Sequence, residues 1–384
     1  MYKFFKILTL VFFSFLIINQ SGFSNESKIK IGLLVPITGD NKKLGHQIIK
    51  STRMALKDIG NDDLEIYLKD SNSNPSQTLK SAIEFREMDI KIVIGPIFHE
   101  SLIYLDEVKE ITFLSFTNKT LDLPNNVISA GVNATSQLKA IKKFIELNKI
   151  NKTLLLTPKL DYEAEITKAI KQSKIKISKQ FIYDTEPTKL TAQIEKVTNY
   201  KIRKQNLEDE IKRVKNSELI DKDKQLEKLK KKYTIGRVNF NSIIISDFDQ
   251  SLKSVITSLL YVDISPKKKY IITFNQWFDK SLLNEKTIQP LYYPSINKNN
   301  LENFEKKFHK EFNEDPNHLS LLSYDLLGLI YYLSKKNNLE NLSNLFKNKN
   351  TFKGKIGIFD IEDNKINHRL NFYKVDNGNI KKIF

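Results

Sequence analysis

The sequence predicts an α/β protein made of two doubly wound parallel-sheet units in tandem, with a charged helical arm inserted in the second. Three observations carry that expectation. Short apolar runs alternate with amphipathic segments of about 10–15 residues, the rhythm of parallel strands covered by helices on both faces. The rhythm starts afresh near Thr135. The stretch 188–232 interrupts it, holding no strand pattern and a high density of charge.

In chain order, Ile29 to Val35 reads as a buried strand, followed by the turn Pro36-Ile37-Thr38-Gly39 and a helix from Leu44 to Ile59. Leu64 to Leu68 is a second strand, Asp70 to Pro75 a polar loop, and Gln77 to Glu87 a helix. Ile90 to Ile94 is a strand ending in Gly95-Pro96, Ser101 to Lys109 a helix, and Ile111 to Phe116 a further strand. The second unit follows with a helix over Ser136 to Leu147, a strand over Thr153 to Thr157, a helix over Glu163 to Gln172 and a strand over Ile175 to Tyr183. After the charged stretch come the strand Ser242 to Ser246, the helix Leu252 to Leu260 and the strand Tyr270 to Thr273. Leu291 to Tyr332 reads as helical. From Gly354 to Phe384 apolar and polar residues alternate around Asp363-Asn364 and Asn377-Gly378, the pattern of antiparallel strands with tight turns.

Within the charged stretch, Leu207, Ile211 and Val214 form one narrow apolar stripe, and Leu219, Leu226 and Leu229 a second. Two antiparallel helices joined near Asn216-Ser217 would bury both. Residues 201–232 carry 12 basic and seven acidic side chains, a local charge of +5. Such a segment reads as a solvated arm, or as a docking arm for an acidic envelope partner or an anionic membrane surface.

Composition excludes several classes. The 384-residue chain has 40% hydrophobic residues, enough for packed cores, and no cysteine, which removes disulfide scaffolds, thiolate metal sites and cysteine nucleophiles. The net charge of +17 is diffuse: six of 62 basic residues are arginine, whereas nucleic-acid readers concentrate arginine for its planar, two-pronged grip on phosphate and guanine. No nucleic-acid partner is expected. There is no Walker-type phosphate loop, no GxGxxG after the first strand and no GxSxG elbow. The five histidines, His46, His99, His309, His318 and His368, show no helical metal-pair spacing. Catalysis, a metal and a cofactor are therefore not expected.

The N-terminus has the form of a secretory signal peptide. Lys3 and Lys6 precede the apolar run Ile7 to Ile18, and small and polar residues lead to a cleavage point after Ser24. The run is too short for a spanning helix, which needs roughly 20 residues. With no cysteine to acylate, the exported product is expected in the periplasm and not as a lipoprotein.

Several segments resemble the type I periplasmic binding proteins of the leucine/isoleucine/valine-binding group. Ile31-Gly32-Leu33-Leu34-Val35-Pro36-Ile37-Thr38-Gly39 is similar to that family's first strand and ligand loop, and Leu68-Lys69-Asp70 to the end of its second strand. Val93-Ile94-Gly95-Pro96 and Leu114-Ser115-Phe116-Thr117-Asn118 look like its crevice loops. Asp161-Tyr162 falls where the family often places a tyrosine, and the stretch 352–360 is similar to its late F-x-G-x-x-G. A narrower resemblance, to the penicillin-binding-protein activator branch, lies in Phe240 to Asp247, Leu259-Leu260-Tyr261 and Gln276-Trp277-Phe278-Asp279.

The resemblance implies a hinged, two-lobed Venus-flytrap. Lobe 1 would span 28–134 and be completed by about 295–336; lobe 2 would span 135–294 and be completed by about 337–384. It implies a small polar ligand, such as an amino acid, held in the cleft at the strand ends and delivered to an ABC permease of the inner membrane. The alternative it implies is an envelope regulator with no transported ligand. Thr38, His99, Glu100, Ser101, Thr117 and Asn118 would meet a carboxylate. Tyr162 would cap the ligand, and Asp247 or Gln276 would meet an ammonium. This chain departs from the amino-acid binders in having His99 where they place a serine, and the neutral Gln276 near the position of their acid. Trp277, the only tryptophan, serves either lobe packing or a cleft wall.

Overall fold

The computed structural model describes residues 28–60, 63–336, 346, 349–355, 357–362 and 364–384. The expected signal peptide, 1–24, lies outside the described residues. Among the described residues no helix is long and apolar enough to cross a membrane.

The first lobe is built from β1 (Ile29–Val35), α1 (Lys42–Ile59), β2 (Leu64–Asp70), α2 (Pro75–Glu87), β3 (Ile92–Ile94), β4 (Thr112–Ser115) and β5 (Val127–Ser129). Its strands form a parallel sheet in the order β2-β1-β3-β4-β5, with Leu33 opposite Leu68 on one side and Ile94 on the other. Side chains alternate between two cores: Ile31, Leu33 and Val35 enter one and Leu34 the other, so both faces are covered. Asn74 starts α2 by accepting from Ser76 N and Gln77 N, with Pro75 at the first helical position, where its missing N–H costs nothing. Gly45 sits where α1 presses on the first loop. A Cβ there would fall 1.8 Å from the Pro36 carbonyl oxygen.

The expected helix over Ser101 to Lys109 is instead two short 3₁₀ turns, His99–Leu102 and Leu105–Glu107. Leu102, Leu105 and Val108 recur every third residue and are buried, while Ile103 and Tyr104 are exposed. A period of three is that of the 3₁₀ turn. β5 was not expected. It is three residues long, and Asn126 positions it by donating to the Leu105, Val108 and Ile111 carbonyls.

The second lobe comprises α3 (Ala134–Leu147), β6 (Thr153–Pro158), α4 (Glu163–Ser173), β7 (Lys179–Tyr183), α5 (Pro187–Val197), α6 (Tyr200–Lys215), α7 (Lys222–Lys230), β8 (Ser242–Ile245), α8 (Asp249–Tyr261), β9 (Tyr270–Thr273), α9 (Lys280–Asn284) and β10 (Leu291–Ser295). β10 falls where helix was expected. Leu291 and Tyr293 are buried in the core, and the strand pairs parallel with β9. The helix begins only at α10 (Lys298–Phe312), where Asn297 caps it by accepting from Asn300 N.

The chain then returns to the first lobe. α10 and α11 (His318–Lys336) pack on its core, joined by the antiparallel sheet β11 (Asn350–Lys353), β12 (Ile358–Glu362) and β13 (Lys365–Arg369), whose Phe359, Ile361 and Ile366 are buried there. Re-entry into lobe 2 therefore falls at Leu370 and not near residue 337, because the β12 side chains find their apolar partners in lobe 1. Leu370 itself packs against both lobes' cores. β14 (Asn371–Asp376) and β15 (Asn379–Lys382) finish the second sheet, in the order β15-β14-β10-β9-β8-β6-β7. Their Asn377-Gly378 turn has φ of 50° and 78°, the left-handed pair that matches strand twist.

The charged stretch divides. α5 is an ordinary lobe-2 helix that buries Leu190, Ile194 and Val197. α6 and α7 form the expected helical pair, with a small core of Leu207, Val214 and Leu229 flanked by Ile211 and Leu226; Leu219, expected in the second stripe, lies in the connection between the helices and is exposed.

Candidate functional site

Between the lobes lies a cavity of about 310 Å³. The carboxyl ends of β3 and β4 supply Ile97 to Glu100 and Phe116 to Lys119, and the following crossover supplies Gly131 and Val132. The second lobe supplies Gln137 at the start of α3, Phe248 after β8, and Asn275 and Trp277 after β9. His318, Leu319 and Leu322, on the first turns of α11, complete the wall. Ligand sites in open parallel sheets occur at strand ends of this kind.

Hydrogen bonds fix the loops. Ser115 Oγ donates to the Pro96 carbonyl (2.8 Å) and accepts from Thr117 N (3.2 Å), tying the two first-lobe loops together. Gln137 Oε1 accepts from Asn275 N (2.7 Å), and Asn275 Oδ1 accepts from Trp277 N (3.0 Å). Two residues of the lining carry a buried nitrogen without a partner, His99 at Nδ1 and Asn275 at Nδ2, both closed to solvent in this conformation. A buried polar atom left unsatisfied costs about 1–3 kcal/mol, so a small turn of either side chain that let it meet a bound group would recover that cost.

The Trp277 indole stacks on His318, with centroids 4.4 Å apart and 22° between planes. His318 keeps solvent-exposed surface, and crowding by neighbouring protein atoms lowers its pKa.

A second set of contacts joins the lobes beside the cavity. Glu165, buried on α4, accepts from Thr120 N (2.6 Å), Thr120 Oγ1 (2.8 Å) and Leu121 N (2.5 Å), while Lys168 Nζ donates to the Thr120 carbonyl (2.8 Å).

Of the residues expected at the site, His99, Glu100, Thr117 and Asn118 line the cavity. The others do not. Thr38 is exposed and donates its hydroxyl to Asp70 (2.5 Å), which also accepts from Ile37 N (2.7 Å). Ser101 is turned into the first-lobe interior. Tyr162 donates to the Ser246 carbonyl (3.0 Å), and burial, then Asp247, raises its pKa. Asp247 is buried and accepts from Tyr183 Oη (2.5 Å), Ser251 Oγ (2.6 Å) and Phe248 N (2.9 Å). Gln276 donates to the carbonyls of Asp247 and Phe274, both at 3.1 Å. Asn275 and Phe248, each one residue from an expected contact, reach the cavity instead, together with Gln137 and His318. The strand-end rule marks Asn275 and Phe248 as strongly as their neighbours, whereas nothing local marks Gln137 or His318. Among the described residues, no group of three or more His, Asp or Glu side chains is placed to hold a metal ion.

No protein-family model and no curated protein matches the sequence. Solved structures match it over nearly its whole length. A putative branched-chain amino acid ABC transporter protein from Rhodospirillum rubrum superposes with a TM-score of 0.69 at 12% identity, covering 93% of this chain and 100% of that one. The C-domain of LpoA (YraM) from Haemophilus influenzae, a regulator of PBP1A, superposes at 0.63 and 14% identity, covering 92% and 100%. An ABC transporter substrate-binding protein from Desulfitobacterium hafniense, solved in complex with Leu, gives 0.61 at 14% identity, covering 93% and 100%. At such identities the likeness is one of fold, and the fold is the two-lobed type I periplasmic-binding-protein architecture.

Proposed function

We propose that this chain is an exported, non-catalytic binding protein that captures a small ligand between its lobes, an amino acid or a similar molecule with an apolar body and a hydrogen-bonding group, for delivery to an ABC-type permease. The observation that carries this reading is the interlobe cavity of about 310 Å³, lined by polar residues of both lobes, of which His99 and Asn275 each hold a buried nitrogen without a partner. Asn275 would donate to a carboxylate or carbonyl oxygen, while Phe98, Phe116, Val132 and Trp277 would surround the apolar part. Glu100 and Lys119 are the charged residues of the lining, placed to meet an ammonium and a second acceptor. Export and a periplasmic location rest on Lys3, Lys6 and the apolar run after them.

The test is a thermal-shift titration after unfolding and refolding to strip any retained ligand. The panel holds amino acids, polyamines and small carboxylates. One chemical class should raise the melting temperature in a concentration-dependent way, with a gain of about 2.7 kcal/mol at a hundredfold excess over Kd. Asn275→Leu should remove the gain. A cooperative melt that no compound moves would sink the reading.

The second reading, an envelope regulator that keeps the fold without transporting a solute, is favoured by the Glu165 bonds, which join the lobes through the protein's own groups. It expects a scattering profile that no small ligand changes, and loss of function in cells when residues 201–232 are excised.

A further inference from the structure

A second cavity, of about 630 Å³, opens at the base of the helical arm, away from the residues of the interlobe cleft. Arg203 on α6, Lys231, Lys232 and Arg237 in the segment leaving α7, and Lys268 and Lys269 before β9 all line it. Asp263 is the one carboxylate among its lining residues. That carboxylate is shared. It lies 3.7 Å from both Arg203 Nη2 and Lys268 Nζ, and it accepts from Thr234 Oγ1 (2.8 Å).

Two of the cations are drawn out of water, Arg203 almost wholly and Lys269 in part, and among the lining residues only the shared Asp263 carboxylate offsets them. Arg203 is 5% exposed; its Nη1 donates to the Val262 carbonyl (3.0 Å), its Nη2 to Thr234 Oγ1 (2.6 Å), and its Nε has no partner. Lys269 Nζ donates to the Phe240 carbonyl (2.7 Å). Burial, and then the Arg203 charge, lower the Lys269 pKa, the direction expected where like charges crowd one site. Gly236, at φ +122°, keeps the wall thin, since a Cβ there would lie 3.3 Å from Arg203 Cγ. Six cations facing one cavity against a single carboxylate form a charge arrangement that a multivalent anion completes.

We propose that this arm-base cavity is a binding site for a phosphate-bearing anion, either a soluble polyphosphate-type molecule or a phospholipid headgroup. Several negative charges close together match the lining better than a single carboxylate, and the volume exceeds what inorganic phosphate alone would fill. The site is separate from the interlobe cavity, so it stands or falls independently of the transport reading.

The test uses the purified protein with two probes at constant ionic strength. Sodium tripolyphosphate is titrated by calorimetry, and vesicles of phosphatidylglycerol in phosphatidylcholine are co-sedimented against phosphatidylcholine alone. Arg203 also anchors the arm, so the exposed pair Lys232→Glu/Lys268→Glu carries the comparison. Lys306→Glu/Lys310→Glu on α10 makes the same change in net charge elsewhere. Saturable binding of either probe is expected, weakened about tenfold or more by the arm-base pair and unchanged by the α10 pair. Which probe binds identifies the source of the phosphate. Binding of neither probe, or equal weakening by both pairs, would overturn the proposal, the latter by reducing it to net-charge attraction.

Discussion

The indole of Trp277, carried on lobe 2, stacks on the imidazole of His318, carried on lobe 1. This contact forms part of the cavity wall and also bridges the lobes. Trp277 and Phe278 have φ of 47° and 60°, a left-handed conformation that costs of order 1 kcal/mol or more per bulky residue. The Asn275 and Gln276 turn bonds hold it in place. Strain of this kind aims the indole across the cleft, where an extended backbone would carry it elsewhere.

Because Trp277 is the sole tryptophan, intrinsic fluorescence reports this contact directly. His318→Ala is expected to shift emission to the red and to cost about 1 kcal/mol, the scale of a ring-pair contact. An unchanged spectrum would mean that the stack does not persist in solution.

Glu165→Gln should loosen the lobes. The substitution keeps the shape of the side chain but removes the charge from three accepted hydrogen bonds. A loss of about 1–3 kcal/mol is expected, together with a larger radius of gyration in X-ray scattering. If neither stability nor radius changes, the Glu165 contacts do not hold the lobes together.

Asp247 was expected to meet a ligand ammonium, and its buried contacts argue for a structural role. Asp247→Ala strands the Tyr183 hydroxyl, whose pKa is raised by burial and by Asp247, and should cost about 2–4 kcal/mol in denaturant unfolding. A variant of wild-type stability that no longer responds to ligand would restore the original expectation.

His368 sets a pH dependence. Its ring is buried, with Nε2 2.8 Å from the Ala130 carbonyl oxygen, and desolvation pushes its pKa down to about 4. The unfolded chain, with a histidine pKa of about 6.5, therefore takes up a proton that the folded protein refuses. The resulting stability is complete above about pH 6.5 and declines as pH falls toward 4, by at most about 3 kcal/mol. Unfolding curves between pH 7 and pH 4 should be flatter for His368→Gln than for the wild type; identical slopes would refute the assignment.

The site was legible in part. Strand ends were readable from apolar runs, and four residues named from them, His99, Glu100, Thr117 and Asn118, line the cavity. In lobe 2 the same rule landed one residue away twice, on Asp247 beside Phe248 and on Gln276 beside Asn275. Successive side chains leaving a strand point in opposite directions, so an error of one residue exchanges an inward group for a lining one. Thr38 was misjudged for another reason: its partner Asp70 is 32 residues away, and only the parallel pairing of β1 with β2 brings the two together.

The sequence by itself determined the βα rhythm of both lobes, the paired helices of the arm and the terminal hairpins. Each of these depends on periodicity, turn chemistry or charge within a few residues of chain. Tertiary structure alone decided that β11, β12 and β13 belong to lobe 1, that Trp277 meets His318, and that Arg203 and Lys269 share one cavity with Asp263. Those relationships join side chains from different crossings of the hinge or from opposite ends of the arm. Burial and charge compensation settle them only once the whole chain has packed.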